Sequence, residues 1–175
     1  MDLSKLFVIG ASGYILSGLY DVSILSGKPL LGKLLHALMF VTAAPYPFLF
    51  IYHETPLPSA LAWVLLPCLS ILAALLIYSV FLEIPLATEH DGQLFRGGTY
   101  GFSRHPGFLW YTGINILVAL YFLDLRIAAL CAGLTACNLL LVTLEDLVLF
   151  PRMFKDYDDY KRHTPFLFSF RRSNS

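Results

Sequence analysis

Charge is scarce in this chain: Asp, Glu, Lys and Arg make up 14% of its 175 residues, against roughly 25% in soluble domains. Acidic and basic residues balance at twelve each, so the basic excess typical of nucleic-acid-binding proteins is missing. Hydrophobic residues reach 57%. This composition predicts an all-α, polytopic membrane protein and no nucleic-acid partner.

Cysteine is also rare, with three residues in all. Cys68, Cys131 and Cys137 fall within apolar runs, and the last two are six residues apart on one predicted helix. That spacing puts a disulfide between them out of geometric reach. We therefore interpret the cysteines as packing residues and predict neither a disulfide framework nor a metal site.

Five apolar stretches approach or exceed the roughly 18–20 residues that cross a bilayer. They cover residues 6–25, 34–52, 59–82, 105–123 and 127–150. Short connections predict that the second and third helices, and the fourth and fifth, are antiparallel hairpins. We expect one integral membrane domain over residues 1–175, with five transmembrane helices and a C-terminal interfacial amphipathic helix.

The positive charges are distributed unevenly about this five-span arrangement. Ten of the twelve Lys and Arg residues fall on one side, and only Lys5 and Arg126 fall on the other. The positive-inside rule then places the amino terminus outside and the carboxyl terminus in the cytoplasm, in a bacterial inner membrane or the endoplasmic reticulum. Asp21, His36 and Glu83 lie near helix ends on the cytoplasmic side.

Two carboxylates, Glu145 and Asp146, interrupt the last apolar stretch. A carboxylate at membrane depth is costly and by default marks a functional site. Glu145 should accept hydrogen bonds or pair with a cation, and Arg104 and Arg96 are the candidates on the same side. Asp146 would point about 100° away on an α-helix, and we expect it to reach the interface.

A second polar cluster, Ser103-Arg104-His105-Pro106, precedes the fourth stretch. Proline suits the first position of a helix, whose free N–H groups favour an anionic group. The permanently charged, planar guanidinium of Arg104 would add to this preference. The alternative is an interfacial cap in which Arg104 only extends to the lipid headgroups.

The tail carries a periodic pattern after the last stretch. Met153, Tyr157, Tyr160 and Thr164 share one helical face, with charges opposite. This pattern predicts an amphipathic helix at the membrane surface, ending before Pro165. It would act as a simple anchor or as a lid over a pocket.

These residues together resemble the isoprenylcysteine carboxyl methyltransferase and phospholipid methyltransferase superfamily. Its pattern reads approximately G-x-Y-x-x-x-R-H-P-x-Y-x-G, and after a helical hairpin E-E-x-x-L-x-x-x-F-G-x-x-Y-x-x-Y-x-x-x-V-P. The first half is matched at Gly98, Tyr100, Arg104, His105 and Pro106. The second is matched at Glu145, Leu149, Tyr157, Tyr160 and Pro165, with the acid Asp146 in place of the second glutamate. The match covers residues 94–166.

The resemblance implies an S-adenosylmethionine-dependent methyltransferase whose cofactor-binding half is about 84–166. It implies catalytic roles for Arg104, His105 and Glu145. The implied cofactor-binding residues are Gly98, Tyr100, Arg104, His105, Pro106, Glu145, Tyr157 and Tyr160. The acceptor would be a lipidated cysteine carboxylate, a lipid amine or a hydrophobic thiol. Amines and thiols need a base, for which His105, Asp146 and His90 are candidates.

Departures from the family pattern keep alternative functions open. In the second motif, Asp146 replaces a glutamate and Met153-Phe154 replaces the Phe-Gly pair. Phe108 replaces the tyrosine of the first motif, and Trp110 replaces its last glycine. One alternative is an enzyme similar to the NADPH-dependent sterol and enone reductases, although those usually have Asn-Tyr after Arg-His-Pro. Another is a non-catalytic membrane protein that retains the fold and binds a ligand or partner.

Overall fold

The computed structural model describes residues 2–83 and 94–168, and this part of the chain is helical. Four of its helices are long and apolar enough to cross a membrane: Leu3–Leu25, Leu30–Tyr52, Ser59–Val80 and Leu125–Met153. The membrane class is therefore confirmed. Pro106–Phe122 is apolar but has only 17 residues, so the count of five spans stays a prediction.

The helices in chain order are α1 (Leu3–Leu25), α2 (Pro29–Leu38), α3 (Pro45–Tyr52), α4 (Ser59–Ile77), α5 (Pro106–Phe122), α6 (Leu125–Leu144), α7 (Phe150–Met153) and α8 (Tyr157–His163). A 3₁₀ turn, Met39–Ala43, joins α2 to α3. Wide π turns, Tyr78–Glu83 and Glu145–Leu149, extend α4 and connect α6 to α7. The 3₁₀ turn ends just before Pro45, the first residue of α3, and α4 contains Pro67 within its helical span.

Helix α1 packs against α2, the 3₁₀ turn and α6, while α5 packs against both α4 and α6. Glycines permit the close approach of α1. A Cβ on Gly13 would lie 2.7 Å from the backbone nitrogen of Thr42, and one on Gly10 would lie 2.8 Å from Leu134 Cδ2. At Gly13 the obstacle is backbone, so a side chain there would force the helices apart, whereas at Gly10 the Leu134 side chain would have to move. The spacing of these helices therefore depends on small residues.

The cysteines are free thiols with different surroundings. Cys131 is buried in the core between α1, α5 and α6, and Cys137 is half-buried beside it. Cys68 lies on an exposed face of α4. The packing role predicted from the sequence therefore fits Cys131 but not Cys68.

Three of the tail residues that the sequence pattern places on one apolar face are buried in and just after the short helix α8. Tyr157, Tyr160 and Thr164 are buried, whereas the charged Asp158 and Arg162 are exposed. The helix begins at Tyr157 rather than near Met153, because the chain leaves α7 with an extended backbone at Phe154. It ends at His163, before Pro165. Its position at a membrane surface remains a prediction.

Candidate functional site

Asp146 is the centre of a buried charged network. The residue is 3% exposed, and Arg104 faces both of its oxygens: Nε lies 2.8 Å from Oδ1, and Nη2 donates to Oδ2 at 3.3 Å. Lys161 Nζ lies 3.3 Å from Oδ2, and the Tyr157 hydroxyl donates to Oδ1 at 2.7 Å. Two cations and a phenol therefore surround this one carboxylate.

This arrangement corrects the pairing expected from the sequence. Arg104 binds Asp146 and not Glu145, and Asp146 is buried rather than directed to the interface. Arg96 pairs instead with Asp156 and Asp159 of the tail, at 2.7 and 2.6 Å. The physical reason is that the chain folds back after α7, so that α8 brings its own cation against Asp146.

Arg104 also fastens the start of α5 to the segment that follows α8. Its Nη1 donates to the carbonyl oxygens of Lys161 and Thr164 at 3.1 and 3.3 Å, and its backbone N–H donates to Pro165 O at 3.0 Å. The hydroxyl of Ser103 donates to Phe166 O at 3.3 Å. The two halves of the motif are thereby held together by both backbone and side chain.

His105 lies between the two adjacent carboxylates. The side chain is 5% exposed, with Nε2 3.5 Å from Asp146 Oδ1 and Nδ1 3.8 Å from Glu145 Oε2. Its ring stacks on Phe150 at an interplanar angle of 12°. The imidazole is thus held in a fixed orientation, within reach of both acids, immediately before Pro106 opens α5.

Glu145 has a different environment from its neighbour. Its side chain is 13% exposed, and it contacts the carboxyl group of Asp21 near the end of α1. Among the described residues, no Lys or Arg nitrogen comes within 4.0 Å of either carboxylate. Glu145 therefore faces another acid and a histidine.

The glycine-rich segment before α5 is held by Glu83. This buried carboxylate accepts from the backbone N–H of Thr99 at 2.8 Å and from the Thr99 hydroxyl. Gly98 has φ of 51°, and a Cβ there would lie 1.6 Å from Glu83 Oε1. The close approach that this glycine permits in the structure is to Glu83.

Three tyrosine hydroxyls act as donors around the network. Tyr160 donates to the carbonyl oxygen of Tyr100 at 2.6 Å, and Tyr100 donates to Ser79 O at 3.1 Å. Burial raises the pKa of Tyr157, Tyr160 and Tyr100 above the ordinary value of 10.0. These phenols therefore stay protonated at neutral pH and act as hydrogen-bond donors.

The residues chosen from the sequence largely gather at one end of the bundle, linked through the contacts above. His90 lies outside the described residues. Sequence reasoning did not assign Asp21, Glu83 or Lys161 to this cluster. A signal existed for the first two, because each is an acid near the end of an apolar stretch on the same predicted side.

Comparison with protein-family models, with characterised proteins and with solved structures gives no match. The resemblance to membrane methyltransferases consequently stands on the residues quoted for it. Within residues 2–83 and 94–168, no group of three or more His, Cys, Asp or Glu side chains is arranged to hold a metal ion.

Proposed function

We propose that this protein is an integral membrane S-adenosylmethionine-dependent methyltransferase that acts on a hydrophobic or lipid-linked acceptor. One observation carries the proposal. Residues 42 positions apart, Arg104 and Asp146, meet through a buried ion pair, and this contact joins the two sequence motifs that resemble the membrane methyltransferases. Charged groups buried in a membrane protein usually mark functional sites.

The charges of the site fit the cofactor. S-adenosylmethionine supplies a methyl group on a positively charged sulfonium, and it also carries an ammonium and a carboxylate. Glu145, which has no permanent cation among its described neighbours, suits the ammonium. The carboxylate suits the amino-terminal N–H groups of α5, which begins at Pro106.

Arg104 acts in this proposal as a positioning residue. Its guanidinium is engaged by Asp146 and by two backbone carbonyl groups of the tail. It therefore holds His105 and α8 in place, whereas the resemblance implied direct contact with the cofactor. Tyr157 and Tyr160 seat α8 as a cover that excludes water, which strengthens electrostatic interactions beneath it.

The transfer step requires a nucleophile and, for some acceptors, a base. The acceptor's lone pair forms a bond to the methyl carbon while the carbon–sulfur bond breaks and its electron pair passes to sulfur. A carboxylate acceptor is already deprotonated, whereas an amine or thiol must lose a proton. His105 is the better base of the described candidates, because Asp146 is already bound by two cations and a phenol.

We further propose five spans, with the site at the cytoplasmic end. Arg96, Arg104, Arg152 and Lys161 belong to the site or to its adjoining tail. This clustering of cations at one end supports the positive-inside orientation. The acceptor would then enter from the surrounding lipid.

The proposal is tested on protein purified in detergent. Mass spectrometry of co-purified ligand should detect S-adenosylmethionine or S-adenosylhomocysteine. Labelled methyl groups should then be incorporated into one of three acceptor pools: total membrane lipids, small hydrophobic thiols or prenylated cysteine peptides. Recovery of a nicotinamide would favour the reductase alternative instead.

Substitution of Glu145 sharpens this test. Glu145→Gln should abolish cofactor binding, measured by calorimetry, while the protein remains folded, because the amide preserves shape and removes only the charge. Asp158→Asn, which removes one exposed charge from α8, is the matched control and should bind normally. Undiminished binding by Glu145→Gln would remove this residue from the site.

A non-catalytic membrane protein is the second candidate, and one observation favours it. Asp146 finds all its partners within the chain, and Phe108, which replaces the motif tyrosine, is only 8% exposed and packs in the interior. The same cluster would then serve stability alone. Failure to bind any cofactor, by a protein with a cooperative thermal transition, would select this candidate.

A further inference from the structure

Asp21 and Glu145 form a pair of acids whose charge the described part of the chain leaves unbalanced. Asp21 is 8% exposed, and among the described residues no hydrogen-bond partner reaches its Oδ2. Its carboxyl group contacts that of Glu145, because α1 packs beside the π turn that follows α6. Neither acid belongs to the Asp146 network.

An account of the nearby cations shows the imbalance. Arg104 and Lys161 converge on Asp146, and Arg96 is held by two acids of the tail. Within the described residues, His105 Nδ1 lies 3.8 Å from Glu145 Oε2, and a histidine is largely neutral at pH 7. Within residues 2–83 and 94–168, these two acids therefore face each other with no Lys or Arg nitrogen within 4.0 Å of either.

Such a pair is unfavourable by itself, since like charges repel and desolvation penalises each of them. A bound cation would balance the charge. Carboxylate oxygens accept hydrogen bonds, and an ammonium offers three N–H donors, whereas a sulfonium offers none. The two carboxylates therefore suit the protonated amine of the cofactor better than its sulfonium.

We propose that Asp21, from α1, joins Glu145 to form a two-carboxylate subsite for the α-ammonium group of the cofactor. This inference rests on the proposed function and extends it, because it adds a residue outside both motifs and makes α1 one wall of the site. Binding then links α1 to the turn between α6 and α7 through the ligand.

The test compares S-adenosylhomocysteine with its deaminated analogue, which lacks the α-amino group. Binding to wild type and to Asp21→Asn is measured by calorimetry in detergent. Asp21→Asn should weaken binding of S-adenosylhomocysteine by about ten- to a hundredfold, the range expected for one hydrogen bond to a charged group. The analogue should bind both proteins with the same low affinity, so that the amine and the carboxylate show coupling.

Two control variants are used. The first tests whether a carboxylate is needed at position 21 whatever its exact position, and the second tests the effect of losing one negative charge elsewhere. Asp21→Glu keeps the carboxylate and should retain part of the preference for the amino compound. Asp158→Asn should bind as wild type does. Without ligand, Asp21→Asn should unfold at the same or a higher temperature than wild type, because it relieves the repulsion between the two acids.

The possible failures are distinguishable. If wild type binds neither S-adenosylmethionine nor S-adenosylhomocysteine, the proposed function fails and this inference fails with it. If wild type binds both but Asp21→Asn binds equally well, only the inference is overturned. Should that variant not fold, equal affinity of wild type for the two compounds overturns it. The inference is also overturned if a lipid with an ethanolamine headgroup displaces S-adenosylhomocysteine while wild type binds S-adenosylhomocysteine no more tightly than its deaminated analogue.

Discussion

Glu145 and Asp146 are adjacent in the chain and both are largely buried, yet their surroundings are opposite. Asp146 lies against two cations and a phenol. Glu145 lies against another acid and a histidine. Asp146 thus has its charge balanced by cations of the chain, whereas in the described part of the chain Glu145 has no Lys or Arg nitrogen within 4.0 Å.

The two carboxylates differ because different helices pack on the two sides of the turn that carries them. Helix α8 folds back under the site and brings Lys161 and Tyr157 to one side. Helix α1 brings Asp21 to the other. A carboxylate whose charge is balanced by neighbouring cations stabilises the fold and orients its partners. A carboxylate without such cations can bind a positively charged ligand.

The largest loss of stability should come from removing the charge of Asp146. Asp146→Asn leaves the largely buried Arg104 and the partly exposed Lys161 without their counter-charge. Removing the partner of a buried charge costs about 3–5 kcal/mol of unfolding free energy. Glu145→Gln, the matched substitution one residue away, should leave the unfolding midpoint in detergent unchanged or raised. Equal destabilisation by the two variants would show that the adjacent acids do not differ in the way described.

A smaller effect should come from another buried carboxylate of this end, Glu83, whose oxygens accept hydrogen bonds from Thr99. Gly98→Ala should destabilise the protein more than Gly27→Ala. Both glycines have positive φ, 51° and 65°, which costs a residue with a side chain about 1 kcal/mol or more. Only at Gly98 does the new Cβ collide with a neighbour, the carboxylate of Glu83, whereas around Gly27 there is open space.

The measurement is the difference between the two thermal unfolding midpoints in the same detergent. Equal shifts would mean that the Glu83 carboxylate moves aside without loss. That outcome would mean that Glu83, like Glu145 and unlike Asp146, is not required for the stability of the fold.

The smallest effect concerns the exposed counterpart of the buried ion pair. Arg96 lowers the pKa of Asp159 below its ordinary value of 3.8 through a direct hydrogen bond. The pair therefore stabilises the folded state above that pH, and the contribution disappears as the pH falls through the lowered value. Asp159→Asn should reduce the loss of thermal stability on acidification only slightly, since exposed ion pairs contribute little. A large reduction would show that this surface pair holds α8 as firmly as the Asp146 network does.

Much of the architecture follows from local patterns. Apolar runs of membrane length predict the long helices, which the structure confirms as a class, and small residues on α1 mark its close packing. The 3.6-residue period of the tail selects Tyr157 and Tyr160, and both are buried. These properties depend on neighbours in the chain, so the sequence reports them directly.

The pairing of the charges could not be read in the same way. Helical periodicity states the angle between Glu145 and Asp146 about one axis, but not which other element packs on each side. A π turn begins at Glu145, which changes the phase that an α-helix would predict. The position of Lys161 depends on how the tail folds back.

The sequence by itself determined that this is a helical membrane protein with acids, a histidine and arginines near the ends of its apolar stretches. Only the tertiary structure decided that Arg104 binds Asp146 and that Asp21 meets Glu145. The physical reason is that hydrophobic length and helical period are local quantities. The balance of buried charge, in contrast, is a sum over elements distant in the chain, and it exists only once they are packed together.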